Sequence, residues 1–166
     1  MSKLVNNLIH KGYLKTDVII EAFSEIDRTE FVPDRFRVAA VSDIPLSIGH
    51  GQVLPEPSIM SFMMELLRPS KGQNVLVVGF GSGWTIAMLS YIVGVDGKVC
   101  AIDTISELKK ETEKNIKKYN FIARNNTASL HLVEKCEDIP NDNGFDRIIV
   151  INPNLWSLCS FRDLLN

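Results

Sequence analysis

Several features are scarce in this sequence, and each shortage excludes a class of protein. Basic and acidic residues nearly balance, at 18 and 20, so a nucleic-acid backbone is not expected as the main partner. Cysteines number only three, without the clustering of a metal site, which predicts a reducing compartment and no bound metal. No apolar run reaches the roughly 18 residues that span a membrane, and the N-terminus is too polar for a signal peptide. We therefore expect a cytoplasmic protein with no membrane partner.

The composition is that of an ordinary globular chain. With 166 residues, of which 45% are hydrophobic and 23% charged, the sequence can form one domain with a substantial core. It shows no internal repeat, low-complexity tract or linker. We expect a single domain over residues 1–166, in which residues 1–56 supply helices and a loop and residues 57–166 form the core.

The chain is organised around residues 74–83, which read NVLVVGFGSG. The apolar run 75–78 has the length and type of a buried parallel strand, and the stretch 84–93 after the glycines is helix-like. A glycine turn at a helix N-terminus lets the backbone approach a ligand closely. The residues of this turn that we expect to contact a ligand are Gly79, Gly81, Ser82 and Gly83.

A second predicted strand, 99–103, ends in Asp103, at the offset of about 20 residues where nucleotide-binding folds place an acid for the ribose hydroxyls. The glycines follow G-x-G-x-G, and Trp84 stands where a dinucleotide fingerprint has its third glycine. Trp84 disfavours a nicotinamide oxidoreductase, whereas the spacing resembles the S-adenosyl-L-methionine (AdoMet) loop of class I methyltransferases. A purely structural turn, which also needs glycine, remains the alternative.

Strands and helices alternate along the chain. This alternation predicts an α/β fold with a Rossmann-like, doubly wound, mostly parallel sheet and right-handed crossovers, preceded by N-terminal helices. Helix 58–68 is apolar around most of its circumference, so we expect it to be buried. Segment 43–57 is dense in proline and glycine and predicts no regular structure. The other predicted elements are helices 4–9, 17–26 and 106–119 and strands 129–133 and 145–151.

Several segments together resemble the protein-L-isoaspartate O-methyltransferase family. Residues 43–52 read D-I-P-L-S-I-G-H-G-Q, and family members carry D-x-P-L-x-I-G-x-G-Q-T-I-S-x-P before the AdoMet loop; residues 26–33 and 75–84 also fit. The resemblance covers roughly residues 20–155. It implies the class I methyltransferase fold, AdoMet as cofactor and S-adenosyl-L-homocysteine as product. The implied activity is methyl esterification of isoaspartyl carboxylates in damaged proteins or peptides.

The resemblance also implies roles for individual residues. Residues 57–166 become the AdoMet-binding core, and residues 1–56 carry the substrate-side loop. Asp43 is the candidate catalytic-site residue, which would orient the substrate; the alternative is that it only caps a turn. The implied cofactor-binding residues are Gly79, Gly81, Ser82, Gly83, Asp103, Thr104 and Glu137.

The sequence departs from the family pattern at positions that matter for chemistry. Val53 and Pro55 replace the family's hydroxyl residues near the transferred methyl group. Val77 replaces the acid that helps to hold the methionine amino group, and Cys136 replaces the acid near the adenine unless Glu137 or Asp138 takes its place. These losses leave a second hypothesis, a catalytically silent relative that acts as a cofactor-binding or protein-interaction module.

Family members continue with further strands beyond the point where this sequence stops. The edge of the last predicted strand, 147–151, would then be an unpaired apolar run of the kind that recruits other strands. We expect this edge to pair with another chain, either a second copy in a homodimer or a partner chain, or residues 154–165 to fold over it.

Overall fold

The computed structural model describes residues 1–141, 144–158 and 160–166. The helices are α1 (Lys3–His10), α2 (Asp17–Glu25), α3 (Pro57–Leu67), α4 (Trp84–Val93), α5 (Ser106–Ile116) and α6 (Asn120–Asn125). The strands are β1 (Leu46–Gly49), β2 (Gln52–Leu54), β3 (Asn74–Val78), β4 (Lys98–Asp103), β5 (Ala128–Leu132) and β6 (Arg147–Val150).

The centre of the molecule is a parallel sheet with the strand order β5-β4-β3-β6. Val77 of β3 is aligned with Ala101 of β4 on one side and with Ile149 of β6 on the other. The chain thus moves outward from β3 to β5 and then returns to place β6 on the opposite side of β3. The order reverses between β3 and β6, where ligands bind at the carboxyl ends of such sheets. The predicted parallel α/β fold is confirmed.

The two faces of the sheet are covered differently. Because side chains alternate along a strand, each strand contributes to both faces. One face packs against a core to which all the named helices contribute; its strand residues are Val75, Val77, Val99, Ala101 and Ile149. The other face packs against turns and the C-terminal segment, and its fully buried strand residues are Leu76, Val78 and Ile102. Helix α4 is the most enclosed helix, since it lies between the sheet and α2.

Segment 43–57 does contain regular structure, so the prediction of an irregular loop was wrong. β1 and β2 form an antiparallel hairpin, with Leu46 opposite Leu54. Its tip bends at Gly49, His50 and Gly51, all with positive φ. Strands of four and three residues, separated by a glycine-rich tip, are too short for an alternating pattern to be recognised.

Helix α3 is not buried on all sides, so that expectation was also wrong. Ile59, Phe62 and Leu66 are exposed, whereas Met60 and Met64 lie in the core. The reason is position: α3 packs against β6, which is the last strand of the sheet within the described residues. The predicted helix 106–119 ends earlier than expected, at Ile116, and the short helix α6 follows it from Asn120.

The C-terminal residues fold back along the second face as 3-10 turns at Pro153–Leu158 and Phe161–Leu164. Leu165 forms a single parallel bridge with Phe145, just before β6. The C-terminal segment therefore folds back against the sheet, as one version of the prediction required. Within the described residues, however, no backbone pairs with the outer edge of β6 itself. In the same part of the chain, no helix combines the length and apolarity needed to cross a bilayer.

Candidate functional site

The glycine loop, residues 79–83, joins β3 to α4 at the point where the strand order reverses. The Gly79 amide donates to the Ile102 carbonyl at 2.8 Å, and the Gly83 amide donates to the Phe80 carbonyl at 3.1 Å. Among the described residues, no acceptor takes the amides of Gly81 or Ser82. The loop therefore presents free donors immediately before a helix N-terminus, an arrangement that suits an anionic ligand group.

The three glycines are needed for different reasons. All have positive φ, at 102°, 53° and 95° for Gly79, Gly81 and Gly83. A Cβ at Gly79 would lie 2.9 Å from the Asn152 backbone nitrogen, and one at Gly83 would lie 3.0 Å from an Ile116 methyl carbon. A Cβ at Gly81 would meet only the terminal methyl carbon of Ile48, at an ordinary contact distance of 4.0 Å. Packing within the protein therefore accounts for two of the glycines, and only Gly81 is left for close approach by a ligand.

Helix α5 holds the loop from one side. The Thr112 hydroxyl donates to the Gly81 carbonyl at 3.1 Å, and the Asn115 amide donates to the Ser82 carbonyl at 3.0 Å. The hydroxyl of Ser82 is buried and has no partner within the described part of the chain. Sequence reasoning missed Thr112 and Asn115. The available signal was an uncharged polar pair, spaced i and i+3, within an otherwise strongly charged helix.

Asp103 is placed at the carboxyl end of β4, as predicted, but its carboxylate faces the glycine loop. One oxygen accepts the Phe80 amide at 2.8 Å. The other accepts the amides of Thr104 and Ile105 at 2.7 and 3.2 Å, and the residue is only 1% exposed. The geometry thus gives Asp103 a role in orienting the loop. Its contact with a ribose stays a prediction, as does the role of the exposed Thr104.

The β1–β2 hairpin lies over the glycine loop. A Cβ built on Gly81 would lie 4.0 Å from the terminal methyl carbon of Ile48, and Ile48 is buried. At the hairpin tip, His50 Nε2 lies 3.4 Å from a carboxylate oxygen of Glu111 on α5. The hairpin thus lies directly beside the candidate cofactor site.

Asp43 has a defined structural partner. Its carboxylate accepts the Ser58 amide at 2.8 Å, which caps the first turn of α3. This geometry matches the alternative of a capping residue, and a catalytic role for Asp43 stays a prediction. Val53 on β2 is exposed, and the Pro55 carbonyl accepts a hydrogen bond from Arg28 at 3.0 Å.

Glu137 lies in the 3-10 turn Cys136–Asp138, which follows β5 at the carboxyl edge of the sheet. Its side chain is exposed. The neighbouring Asp138 is used structurally, because its carboxylate accepts the amides of Glu134 and Lys135 at 3.1 and 3.2 Å. Of the two acids near the predicted adenine position, Glu137 is therefore the one available for a ligand, and its role stays a prediction.

Comparison with known proteins gives a consistent family. The model of the protein-L-isoaspartate(D-aspartate) O-methyltransferase family matches residues 1–151. A protein-L-isoaspartate O-methyltransferase of Ignicoccus hospitalis is 33% identical over 148 residues, 89% of this chain and 68% of that protein. One from Methanopyrus kandleri is 34% identical over 148 residues, 89% of this chain and 64% of that protein.

Solved structures agree. A protein-L-isoaspartate O-methyltransferase superposes with a TM-score of 0.78 and 25% identity, covering 99% of this chain and 51% of its own. A Plasmodium falciparum protein described as a β-aspartate methyltransferase, in complex with S-adenosyl-L-homocysteine, gives 0.80 at 19% identity. That match covers 98% of this chain and 78% of its own, and it supports the fold alone.

The chain spans about two thirds of the length of the curated relatives named above and about half of the first solved structure. The family match nevertheless covers β3 to β6, the glycine loop and the hairpin. On this evidence, the chain belongs to the protein-L-isoaspartate (D-aspartate) O-methyltransferase family.

Proposed function

We propose that this chain binds AdoMet at the glycine loop and methyl-esterifies the carboxylate of isoaspartyl residues in damaged proteins or peptides. The observation that carries the proposal is the pair of free amides, Gly81 and Ser82, beneath the hairpin. Family membership supports the reaction class. The proposal treats residues 1–166 as one domain and, on the ground of the free thiols Cys100 and Cys136, places it in the cytoplasm.

The residues present fit one end of the cofactor better than the other. The free amides, the unpartnered Ser82 hydroxyl and the start of α4 suit a carboxylate such as that of the methionine moiety. Val77 offers no charge to the methionine amino group, because its side chain is apolar; it is buried in the core. On the adenosine side, Asp103 already accepts backbone amides and Glu137 is the remaining exposed acid. We therefore expect binding, with lower affinity than a full set of acids would give.

The reaction requires the protein mainly to align the methyl donor with the carboxylate. Bound AdoMet would supply a methyl group activated on a sulfonium sulfur. Transfer to a carboxylate oxygen breaks a carbon–sulfur bond and forms a carbon–oxygen bond, which yields the methyl ester and S-adenosyl-L-homocysteine. Because the carboxylate is already ionised, no general base is required, and the protein residues bind, orient and exclude water.

The missing hydroxyls should slow this reaction without abolishing it. A hydrogen bond to a charged carboxylate contributes about 1.5–3 kcal/mol. This corresponds to a rate factor of about 10 to 150. Val53 and Pro55 can supply no such bond through their side chains. We therefore expect a slow enzyme, whose rate a hydroxyl at position 53 or 55 would raise.

The test combines binding with turnover. Calorimetric titration with S-adenosyl-L-homocysteine should give heat, and incubation with AdoMet and an isoaspartyl peptide should give base-labile methyl ester. The same peptide with ordinary aspartate is the control and should give none. Absence of both heat and ester would refute the proposal.

A second candidate is a silent relative that binds the cofactor without turning it over. The observation that favours it is the substrate-facing hairpin itself, which carries the exposed Val53 and then Pro55 where the family has hydroxyls. Heat with S-adenosyl-L-homocysteine but no ester, even after long incubation, would select this candidate. A partner chain on the outer edge of β6 fits either candidate.

A further inference from the structure

Arg28 is a buried cation that the reaction scheme above does not use. It begins the turn Arg28–Phe31 after α2 and is only 3% exposed. Burial lowers its pKa to about 10, against the opposing effect of Asp43 and Glu56, so it stays charged at neutral pH. In the described residues no carboxylate comes within ion-pair distance of it. A buried charge of this kind needs a strong compensating set of hydrogen bonds.

Backbone carbonyls provide that set. One terminal nitrogen of Arg28 donates to Ala40 and Ser42, both at 3.2 Å. The other donates to Ile44 at 2.9 Å and to Pro55 at 3.0 Å. The first three carbonyls precede the β1–β2 hairpin and the fourth follows it. A single guanidinium therefore links the two chain segments at the base of the hairpin.

The same guanidinium rests on the residue that follows the glycine loop. Its central carbon lies 5.5 Å from the centroid of the Trp84 ring, a cation–π distance. Trp84 is fixed in turn, because its indole nitrogen donates to the Ile26 carbonyl at 3.2 Å and Phe23 packs edge-on against it. Trp84 is the first residue of α4, directly after Gly83. Arg28 thus joins the base of the hairpin to the start of α4.

Only arginine can fill this position. Its planar fork offers fixed donors that reach four carbonyls at once, whereas lysine offers a single flexible ammonium. The hairpin meets the glycine loop through Ile48, so any tilt at the base of the hairpin would move Ile48 relative to Gly81.

We propose that Arg28 is a positioning residue, which fixes the β1–β2 hairpin over the glycine loop so that cofactor and substrate are held in register. The cofactor part of this inference rests on the proposed function, whereas the placement of the hairpin does not. Arg28 touches neither cofactor nor substrate in this scheme. It acts through the backbone carbonyls to which it donates and through its contact with Trp84.

The experiment compares Arg28→Ala and Arg28→Lys with Arg37→Ala. Arg37 is an exposed arginine in the same region, and its ion-pair partner within residues 1–141, 144–158 and 160–166 is exposed Asp34 at 3.1 Å, so its loss should matter little. In both Arg28 variants, amide hydrogen exchange over residues 44–55 should become faster. The affinity for S-adenosyl-L-homocysteine should fall about tenfold, since a small misplacement near a site has effects of this size or larger. Low-millimolar guanidinium ion should restore affinity to Arg28→Ala and leave Arg37→Ala unchanged.

The outcomes separate the two proposals. If the wild-type chain gives no heat with S-adenosyl-L-homocysteine, the proposed function fails, and hydrogen exchange alone still decides whether Arg28 holds the hairpin. If Arg28→Ala does not fold, hydrogen exchange and affinity are measured on Arg28→Lys alone. An Arg28→Lys chain with wild-type exchange over residues 44–55 and wild-type affinity would overturn the inference.

Discussion

The carboxyl end of β3 and the outer edge of β6 are neighbours in the sheet, yet they differ in how completely the protein encloses them. At the end of β3, the loop backbone is bonded to Asp103, to Ile102 and to α5, and Ile48 lies above it. At the edge of β6, the described residues leave the backbone unpaired beside a groove of about 710 Å³. The groove is lined in part by Met63, Leu66, Leu67, Trp156 and Leu165.

This difference shows that the candidate cofactor site does not depend on whatever covers β6. The hydrogen bonds and close approaches described for the glycine loop come from β4, α5, the hairpin and Asn152, the second residue after β6. The open edge instead concerns association and stability.

Gly79→Ala should cause the largest loss of stability. Its φ of 102° is unfavourable for alanine, and the added carbon would meet backbone and side-chain atoms of Asn152 at 2.8 to 2.9 Å. Strain and overpacking together should lower the free energy of unfolding by about 3 kcal/mol. Urea denaturation measures this change.

The matched control is Gly72→Ala. Gly72 has a similar positive φ of 80° but nothing within 4 Å of an added Cβ, so only the strain of about 1–2 kcal/mol applies. Equal losses in the two variants would mean that the end of β3 is not close-packed, and the contrast between the two regions would disappear.

Much of this closed region could be predicted from the sequence, but not its internal bonding. The apolar runs of β3 and β4 are local signals, and both were interpreted correctly; the glycine spacing predicted the turn into α4, whereas its contacts with a ligand stay a prediction. The roles of Arg28 and Thr112 depend on partners 12 to 31 residues away in the chain, which no local pattern encodes. The exposed face of α3 was missed for a similar reason, because its apolar sequence does not show that β6 is the edge of the sheet.

Gly81→Ala should weaken ligand binding in addition to folding. Its φ of 53° lies in the left-handed region, and the added carbon would lie 4.0 Å from the terminal methyl carbon of Ile48, without a clash. We expect a stability loss of about 1–2 kcal/mol, as for Gly72→Ala. If a ligand approaches the backbone here, the affinity for S-adenosyl-L-homocysteine should fall at least about tenfold, equivalent to 1.4 kcal/mol. Calorimetric titration of Gly81→Ala and Gly72→Ala with S-adenosyl-L-homocysteine separates the two effects. If both variants have the same affinity, the ligand does not approach Gly81.

Glu65→Gln tests how α3 is held on the side away from the open groove. The Glu65 carboxylate accepts the amides of Lys15 and Thr16 at 2.8 and 2.9 Å and the Thr16 hydroxyl at 2.7 Å. Partial burial acts to raise the pKa of Glu65, but the hydrogen bonds from Thr16 and Lys15 outweigh it and lower the pKa below 4.5. Substitution should cost about 1 kcal/mol at neutral pH.

The sign of the pKa shift fixes the pH dependence of this effect. A lowered pKa in the folded state stabilises the protein above the unfolded pKa, and this contribution is lost as pH falls through the folded value. The difference between wild type and Glu65→Gln should therefore shrink as pH falls below about 4.5. Urea unfolding at several pH values measures it. Glu21→Gln, which removes an exposed carboxylate on α2, is the control for the loss of a surface charge at neutral pH.

Leu66→Lys should barely change stability but should change association. Leu66 is 67% exposed in the groove beside β6, so the substitution should alter the free energy of unfolding by less than about 0.5 kcal/mol. An unpaired strand edge beside apolar side chains favours pairing with a second chain, and a lysine there opposes it. Sedimentation velocity should show wild-type association that rises with concentration and is reduced in Leu66→Lys. Val38→Lys, which changes a residue 88% exposed outside the groove, should behave as wild type. A wild-type chain that stays monomeric, with rapid amide exchange along Arg147–Val150, would show that the edge of β6 is open without being a contact surface.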